Sequence, residues 1–385
     1  MKALILALII HLTVNPLVFL KGRNVFETNR TLKVMWSAVF IFEFLLFVSS
    51  LLFFRYLPDG IVHFGRLLGT SWMLFLLYVG GIVLIFDIFY LIFKRKLHKP
   101  LHIRHQPKRM KQSVLTITVL IVTVVLVHGK YKFEHPVVTH HSITIDKDGG
   151  YFDSLKIVVV GDMHLGYTIN RDDARRMVDL IMAQKADLIL MVGDLIDASI
   201  LPLMRENIAM ELTRLSAPLG VYSCPGNHEY RNEHREKIEF LETVGIRMLN
   251  DSAVLVDSSF YVVGREDFIV PNRLPLRDIL AKHLIDRSKP IFVLNHTPNN
   301  LREESDAGAD LALYGHTHHG QAFPGNIATE IKFELAYGFK KKGNTHFYVT
   351  SGLGLAGPQH RICTVSEIAL FEVKFKQQDA LKTPR

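Results

Sequence analysis

The chain has 385 residues, which is long enough for two folded units. Its formal net charge of +8 is divided unevenly, because residues 1–128 contain 15 Lys and Arg against 4 Asp and Glu, whereas residues 129–385 contain 30 against 33. This distribution argues against a nucleic-acid-binding protein; the basic half either contacts anionic lipid headgroups or only sets membrane topology. Cys224 and Cys363 fit no zinc-binding spacing, so they either form a disulfide or stay free thiols.

Residues 1–128 are predicted to form a transmembrane region of about four helices. The apolar stretches are residues 1–20, Val34–Phe54, Leu67–Phe93 and the shorter Val114–Val127, and about 20 residues are needed to cross a bilayer. The first stretch could instead be a signal peptide. No small-x-small cleavage site follows it and further spans do, so we expect a retained helix.

The loop charges predict the orientation of these spans. Lys21–Lys33 contains four Lys and Arg and Lys94–Lys111 contains eight, whereas the loop between the second and third spans has only Arg55 and Arg66. Loops rich in Lys and Arg stay in the cytoplasm. Four spans then place the N-terminus and residues 129–385 outside the cytoplasm, in an integral protein of the plasma (inner) membrane.

One carboxylate, Glu43, falls near the middle of the second predicted span. A charged side chain at the centre of a bilayer costs about 3 kcal/mol on insertion scales, so such residues usually face a partner or a wet cavity. Glu43 therefore either binds lipid, couples helices, or is paired within the helix bundle.

Residues 129–152 are predicted to be a linker, residues 153–375 a soluble domain and residues 376–385 a polar tail. Runs with strand length and β-branched content are Leu155–Val160, Asp187–Val192, Gly220–Cys224, Pro290–Leu294 and Asp310–Tyr314, with further strands at Phe347–Thr350 and Glu367–Phe375. Helical patterns cover Asp172–Lys185, Met204–Leu215 and Glu233–Val244. This alternation predicts an α/β sandwich.

Five short polar blocks follow five of these strands directly. They read GDMH, GD, GNHE, NH and GHTH, and they supply the candidate side chains Asp162, His164, Asp194, Asn227, His228, His296, His316 and His318. Open α/β sheets bind ligands at the carboxyl ends of their strands, so the five blocks can meet in one pocket.

The residue types in these blocks suit a pair of divalent cations. Asp and Asn oxygens and His nitrogens bind such ions, and two ions about 3.5–4 Å apart need one ligand that they share. The Asp194 carboxylate is the natural candidate for that role. Each block alone has a simpler explanation, since Gly-Asp often forms a turn and Asn often caps a helix; the joint occurrence of all five favours a metal site.

The order D-x-H, G-D, G-N-H-E, H and G-H-x-H resembles the calcineurin-like metallophosphoesterase superfamily over about residues 153–375. The resemblance implies a four-layer αββα sandwich that holds two divalent metal ions (Mn, Fe or Zn). It places Asp162, His164 and His318 on one metal and Asn227, His296 and His316 on the other, with Asp194 bridging and His228 as the catalytic histidine.

The stretch GHTHHGQ and the C-terminal segment around Arg361 are similar to a bacterial, membrane-anchored branch of that superfamily. His319 stands where that branch has glycine, so it could add a ligand or a substrate contact. Arg361 could meet a substrate phosphate, since its fork suits that anion, or form a structural salt bridge.

These expectations favour a membrane-anchored hydrolase of phosphate esters or phosphoanhydrides, with attack by a metal-bridging hydroxide. Its expected partners are membrane lipids and a phosphorylated substrate, with an envelope lipid or a lipid-linked compound preferred and no nucleic acid. Two alternatives stay open: a general phosphatase or phosphodiesterase of soluble esters with the helices as a mere anchor, and a non-catalytic membrane module. Some members of the resembled superfamily cleave a nucleotide-linked lipid, and this part of the argument for a lipid substrate is analogy alone.

Overall fold

A computed structural model describes residues 2–96 and 108–376. The chain divides into a helical unit of residues 1–131 with Gly357–His360, and an α/β domain of residues 132–356 and 361–385. Most of the predicted basic loop at Lys94–Lys111 and nearly all of the predicted polar tail lie outside the described residues.

The helical unit contains long helices rich in apolar residues. Their bounds are α1 (Lys2–Val25), α2 (Arg30–Leu52), α3 (Asp59–Lys96) and α4 (Lys108–Glu134). Within the part of the chain that the structure describes, three segments are long and apolar enough to cross a membrane: Arg30–Leu52, Asp59–Phe86 and Gln112–Glu134. The chain is therefore a membrane protein. That the stretch within α1 also crosses the bilayer stays a prediction.

Packing in the helical unit is inverted relative to a soluble protein. Ile41, Phe42 and Leu45 on α2 are exposed, as expected of side chains that face lipid. Glu43, between them in sequence, is buried, and its Oε1 lies 3.1 Å from Nε2 of His11 on α1. The contact favours pairing of this carboxylate within the bundle, which is one of the alternatives that the sequence left open.

The α/β domain contains two six-stranded sheets. Its strands are β1 (Val137–Ile145), β2 (Ser154–Val160), β3 (Leu188–Met191), β4 (Val221–Ser223), β5 (Arg247–Met248), β6 (Ser252–Val256), β7 (Phe260–Gly264), β8 (Ile291–Leu294), β9 (Leu311–Tyr314), β10 (Gly338–Lys342), β11 (Thr345–Val349) and β12 (Glu367–Phe375). The strand orders are β1-β12-β2-β3-β4-β5 and β10-β11-β9-β8-β7-β6. Strands β2, β3 and β4 run parallel in the first sheet, and β7, β8, β9 and β11 run parallel in the second.

Helices cover the outer face of each sheet. Their bounds are α5 (Arg171–Ala183), α6 (Leu201–Arg205), α7 (Ala209–Leu212), α8 (His234–Thr243), α9 (Leu276–Lys282) and α10 (Leu301–Ala307). A further helix, α11 (Gly325–Lys332), has no buried residue and follows the turn that contains His318.

The hydrophobic cores show how these elements are layered. One core lies between the sheets and includes Leu190 of β3 and Leu313 of β9. A second packs the first sheet against α5 and α8, and a third packs the second sheet against α9 and α10. The domain is therefore a four-layer αββα sandwich, as the resemblance implied.

Two local predictions differ from the structure. The predicted linker at residues 129–152 contains the end of α4 and strand β1, which pairs in parallel with β12 from Val137 opposite Glu367 to Ile145 opposite Phe375. Its Thr- and His-rich sequence hides an edge strand that forms only through a partner over 200 residues away. The single helix predicted at Met204–Leu215 is interrupted, because Asn207 has φ +53° and ends the first turn.

Candidate metal centre

The five polar blocks meet at one end of the sandwich, as predicted. They follow the carboxyl ends of β2, β3, β4, β8 and β9, where neighbouring parallel strands deliver their loops to the same edge. Most of the candidate side chains are buried, with Asp162 and His296 fully excluded from solvent. The sequence therefore brings its scattered polar residues into one pocket.

The backbone at these strand ends is held in an uncommon conformation. The φ angles of Asp162, Asp194 and His316 are +53°, +51° and +70°. Those of His164 and His318, two residues after Asp162 and His316, are +50° and +49°. Left-handed residues other than glycine cost free energy and tend to cluster at functional sites. These turns direct the side chains of Asp162, Asp194 and His316 into the pocket.

Asp162, His164 and His318 form a first group of candidate ligands. Their ligand atoms all lie within 4.8 Å of one another. Nε2 of His164 and Nε2 of His318 are 3.1 Å apart, and the latter is 3.5 Å from Oδ1 of Asp162. Two imidazole nitrogens bound to one ion at about 2.1 Å would be separated by roughly 3–3.5 Å, so this spacing suits a shared cation.

Asn227, His296 and His316 form a second group. Nδ1 of His316 lies 2.7 Å from Oδ1 of Asn227. Nδ1 of His296 is 2.6 Å from the carbonyl oxygen of Val192; donation of that N–H leaves the lone pair on Nε2, which faces the pocket. Such a hydrogen bond commonly fixes the tautomer of a metal-binding histidine.

Asp194 lies between the two groups. Its Oδ1 accepts a hydrogen bond of 2.7 Å from the backbone N–H of His228. Its Oδ2 is 3.2 Å from Nε2 of His296 in the second group and 3.8 Å from Nε2 of His164 in the first. The fixed orientation of this carboxylate therefore presents one oxygen to both groups.

Two glycines allow the loops to approach these carboxylates closely. A Cβ atom at Gly226 would lie 2.3 Å from Oδ1 of Asp194, and one at Gly315 would lie 2.4 Å from Oδ2 of Asp162. Neither gap admits a side chain, so the glycines of the GNHE and GHTH blocks are needed for packing against the ligands.

The residues present fit two divalent cations. The donor set combines carboxylate oxygens, one amide oxygen and imidazole nitrogens, which suits Mn, Fe or Zn. Nε2 of His296 is buried without a hydrogen-bond partner, and such an unsatisfied polar atom points to a missing ligand. The identity of the ions stays a prediction.

Burial and neighbouring charges set the ionisation of these ligands. Burial, followed by the charge on His296, lowers the pKa of His316 to about 4, and burial with the nearby His164 holds the pKa of His318 well below its ordinary value. Burial opposes ionisation of Asp194, but the surrounding imidazoles, His296 first, outweigh it and hold its pKa well below normal. At neutral pH His316 and His318 are therefore neutral and Asp194 is ionised, the forms that bind metal. Burial opposes protonation of His296, but the charge of Asp194 outweighs it and holds the pKa of His296 well above its ordinary value, so a cation that binds there has to displace a proton.

His228 is held by a carboxylate that the sequence reasoning missed. Nδ1 of His228 lies 2.5 Å from Oδ1 of Asp197. Burial would raise the pKa of Asp197, but its hydrogen bonds with His164 and His228 outweigh that effect and keep the pKa far below normal. The ionised carboxylate orients the imidazole so that Nε2 faces Asp194, whose Oδ2 is 4.0 Å away. The only signal in the sequence was a second Asp three residues after Asp194.

Two further buried side chains fix the loops around His228. Oε2 of Glu229 accepts hydrogen bonds from the backbone N–H groups of Asp194 and Gly226, and Oε1 accepts one from Ile196. Nζ of Lys237, on α8, donates to the carbonyl oxygens of Asp197 and His228 at 2.6 and 2.7 Å. Glu229 is thus the organiser of the GNHE loop, not one of the candidate ligands.

The profile of the calcineurin-like phosphoesterase family matches residues 155–320, which include all five blocks. The chain carries a calcineurin-like phosphoesterase domain. The matched range contains every residue of the two groups and the carboxylate between them.

Curated relatives agree with this assignment. A Helicobacter pylori protein named an uncharacterized metallophosphoesterase is 31% identical over 228 residues, 58% of this chain and 61% of that protein. A Danio rerio protein named a transmembrane protein with metallophosphoesterase domain is 30% identical over 280 residues, 67% of this chain and 62% of that protein. A Bacillus subtilis metallophosphoesterase is 29% identical over 257 residues, 64% and 89% of the two chains. The chain spans less than two thirds of the first two relatives.

His319 lies beside the ligand groups and faces away from them. Its ring stacks on Tyr337 with 4.6 Å between centroids, and its Nε2 is 3.2 Å from Oε1 of Glu330 on α11. The groups of candidate ligands found among the described residues do not include it. The structure therefore gives no support to the predicted role of His319 as an added ligand and connects it to α11 instead.

Arg361 is wholly buried in the phosphoesterase domain. It donates from Nε to Ser366, from one terminal nitrogen to the carbonyl of His318, and from the other to the carbonyls of Gly352 and Gly354. A substrate phosphate would have to displace these bonds. The predicted substrate contact of Arg361 therefore stays a prediction. In this structure carbonyl oxygens, and not the carboxylate of a salt bridge, bind its terminal nitrogens.

Both cysteines are free thiols, with Cys224 buried and Cys363 exposed. Burial, with the charges of Asp267 and Glu229, holds the pKa of Cys224 well above its ordinary value, so this thiol is inert. Cys363 is accessible to reagents.

Proposed function

We propose that this chain is a metal-dependent phosphoesterase whose two cations are held by the two ligand groups and bridged by Asp194. The observation that carries the proposal is the position of Oδ2 of Asp194, 3.2 Å from Nε2 of His296 and 3.8 Å from Nε2 of His164. One oxygen that faces both groups is the arrangement that a pair of ions about 4 Å apart requires.

The proposed first site consists of Asp162, His164 and His318, and the second of Asn227, His296 and His316. When bound, two such ions stabilise the charge that develops on phosphoryl oxygens and lower the pKa of water. The protein supplies their geometry, because the left-handed turns and the hydrogen bond from His296 to Val192 hold the ligands before any ion arrives.

His228 is the proposed catalytic histidine. Its Nδ1–H donates to Asp197 at 2.5 Å, so its Nε2 is the nitrogen that can deliver a proton to the leaving oxygen or donate to a phosphoryl oxygen. The ionised Asp197 stabilises the protonated imidazole and fixes its ring, which makes Asp197 a positioning residue.

An envelope lipid or a lipid-linked compound is the proposed substrate class. The domain follows helices that are long and apolar enough to cross a membrane, and the basic residues of the chain concentrate in residues 1–128. A general phosphatase of soluble esters is the second candidate. The third, a non-catalytic module, is disfavoured because all seven proposed ligands are present and converge.

We also propose that the domain lies outside the cytoplasm, across the plasma membrane from the basic loops. The exposed Cys363 and the buried Cys224 provide a direct test. A membrane-impermeant maleimide should label the full chain in intact spheroplasts, and Cys363→Ser should abolish the labelling. Labelling that occurs only after lysis would place the domain in the cytoplasm.

The activity is tested with the full chain in lipid nanodiscs, loaded with Mn, Fe or Zn. Turnover of phosphatidic acid or of a lipid-linked nucleoside diphosphate is compared with turnover of aryl phosphate mono- and diesters. Preference for a lipid supports the first candidate, and turnover of soluble esters alone supports the second. Failure to cleave any of them with each metal would contradict the phosphoesterase assignment.

A further inference from the structure

Helix α11 presents an apolar face to solvent. Phe323, just before the helix, is 47% exposed, and Ile327 and Ile331 are 45% and 82% exposed. Ile327 and Ile331 are four residues apart and therefore lie on the same side of the helix. These three side chains, called the α11 face below, form a group of exposed apolar side chains beside the candidate metal centre.

The helix is attached directly to the turn that carries His318. His319, the next residue, stacks on Tyr337 and lies 3.2 Å from Glu330 of α11. A Cβ atom at Gly320 would lie 2.0 Å from the backbone nitrogen of Asn326, so the turn and the start of the helix are packed backbone against backbone. The α11 face is thus rigidly linked to the metal centre.

The segment around α11 is basic within an acidic domain. Residues 321–344 contain four Lys and two Glu, a net charge of +2, whereas residues 129–385 carry 30 basic and 33 acidic residues. Lys340 and Lys342 bind Glu334, and Lys332 and Lys341 are exposed. Apolar side chains flanked by lysines are typical of a helix that lies in the interface of an anionic membrane.

We propose that the α11 face inserts into the headgroup region of an anionic bilayer and thereby presents the metal centre to the phosphate of a lipid. This inference rests on the proposed phosphoesterase function and names the surface by which the site reaches a membrane-embedded substrate. Phe323, Ile327 and Ile331 enter the boundary between headgroups and acyl chains, while Lys332 and Lys341 contact lipid phosphates.

A bilayer fits this surface better than a second protein. Three side chains of this size bury roughly a few hundred Å² at most, whereas a stable protein interface buries about 800 Å² on each partner. Lipid insertion needs no such area, because the helices of the chain already hold it in the membrane. Only two residues separate the end of α4 at Glu134 from the start of β1 at Val137, so the connection to the last helix is short.

The test measures the depth of the α11 face in the full chain. A nitroxide is placed by Ile331→Cys in a Cys363→Ser background, in nanodiscs that contain phosphatidylglycerol. Collision rates with oxygen and with a water-soluble nickel chelate give its depth. Leu284→Cys is the aqueous control, because Leu284 is also apolar and 88% exposed, and Ile85→Cys in α3 is the membrane control.

The label at residue 331 should collide preferentially with oxygen, at a depth of about 5–10 Å below the headgroup surface, whereas the label at 284 should behave as in water. Exchange of phosphatidylglycerol for phosphatidylcholine should make residue 331 shallower. Ile327→Asp should move the label at residue 331 out of the bilayer, so that it collides as in water. An unchanged circular dichroism spectrum would show that this variant is folded.

A label at residue 331 that behaves like the label at 284 would overturn the inference. Spin–spin coupling between labels at 331, with no preference for oxygen, would overturn it in favour of a second copy of the chain. Because depth is measured without turnover, a failure of this inference is distinguishable from a failure of the phosphoesterase proposal, which the activity screen decides.

Discussion

The helical unit and the α/β domain place polar side chains in opposite ways. On α2 many apolar residues are exposed, whereas Glu43 is buried against His11. In the domain the apolar residues fill three cores, and the buried polar residues gather at one end of the sandwich. In both regions a buried polar group needs a partner. In the helical unit this need is met by the single pair of Glu43 and His11, whereas at the strand ends of the domain it is met within a cluster of carboxylates and imidazoles.

The contrast teaches where function is concentrated. A single buried pair can stabilise helix packing, whereas the domain has several buried nitrogens without partners, such as Nε2 of His296. Unsatisfied groups in a folded protein indicate a ligand. Changes to the candidate metal centre should therefore abolish chemistry, whereas changes to the buried pair in the helical unit should alter little more than stability.

Asp194→Asn should have the largest effect. Loss of the shared anionic ligand removes several kcal/mol of stabilisation, so turnover of a phosphate ester should fall at least about a thousandfold. Metal analysis of the purified full chain should show a lower metal content than in the unaltered chain. Asp257→Asn makes the same chemical change on an exposed residue and should leave both values unchanged.

His228→Asn should reduce turnover by about 10²–10⁴-fold while the metal content stays unchanged, because His228 is proposed to move a proton. Asp197→Asn should cost less, about 10- to 100-fold, since it only positions the imidazole. In a double-mutant cycle the combined variant should lose no more than His228→Asn alone. Additive losses would show that Asp197 acts independently of His228.

Arg361→Lys should destabilise the domain without affecting the helices. The lysine cannot satisfy the carbonyls of His318, Gly352 and Gly354 together, so the cost should be about 2–3 kcal/mol. Hydrogen exchange should quicken in peptides from β11 and β12 and not in peptides from α2. The exposed, paired Arg302 is the control, and Arg302→Lys should cost under about 0.5 kcal/mol.

Glu43→Gln should have the smallest effect. Polar contacts between membrane helices are worth about 0.6 kcal/mol on average, and glutamine can still bond to His11. Exchange should quicken slightly in α1 and α2, while turnover of an aryl phosphate stays within about twofold. A large loss of turnover would contradict the statement that function is concentrated in the domain, and would show that the helices contribute to the reaction.

The sequence predicted the α/β sandwich and the convergence of the candidate ligands because both depend on short patterns. The strands that precede the site have three to seven residues, and each is followed by its polar block, so the positions of Asp162, Asp194 and His316 could be predicted from local sequence. What the sequence could not supply were contacts over long separations. Strand β1 forms by pairing with β12, which lies more than 200 residues further along the chain. The exposure of the apolar side chains of α11 likewise depends on how the domain folds around the helix.

Side-chain roles were harder to predict than side-chain positions. Asp197 was missed because an Asp in a loop is usually a turn residue, and only the fold brings it within 2.5 Å of His228. His319 and Arg361 were candidates for substrate contact because their chemistry suits phosphate. In the structure His319 bonds to Glu330 and the Arg361 guanidinium is wholly buried, which no local pattern reveals.

The central claim is that two ions, shared through Asp194, are needed for phosphate ester hydrolysis. The most direct measurement is a metal titration of the full chain after its ions are removed with a chelator, with bound metal and turnover of an aryl phosphate ester followed together. Turnover should rise in step with binding and reach its maximum at two ions per chain. Full turnover with one ion, or any turnover without ions, would contradict the account.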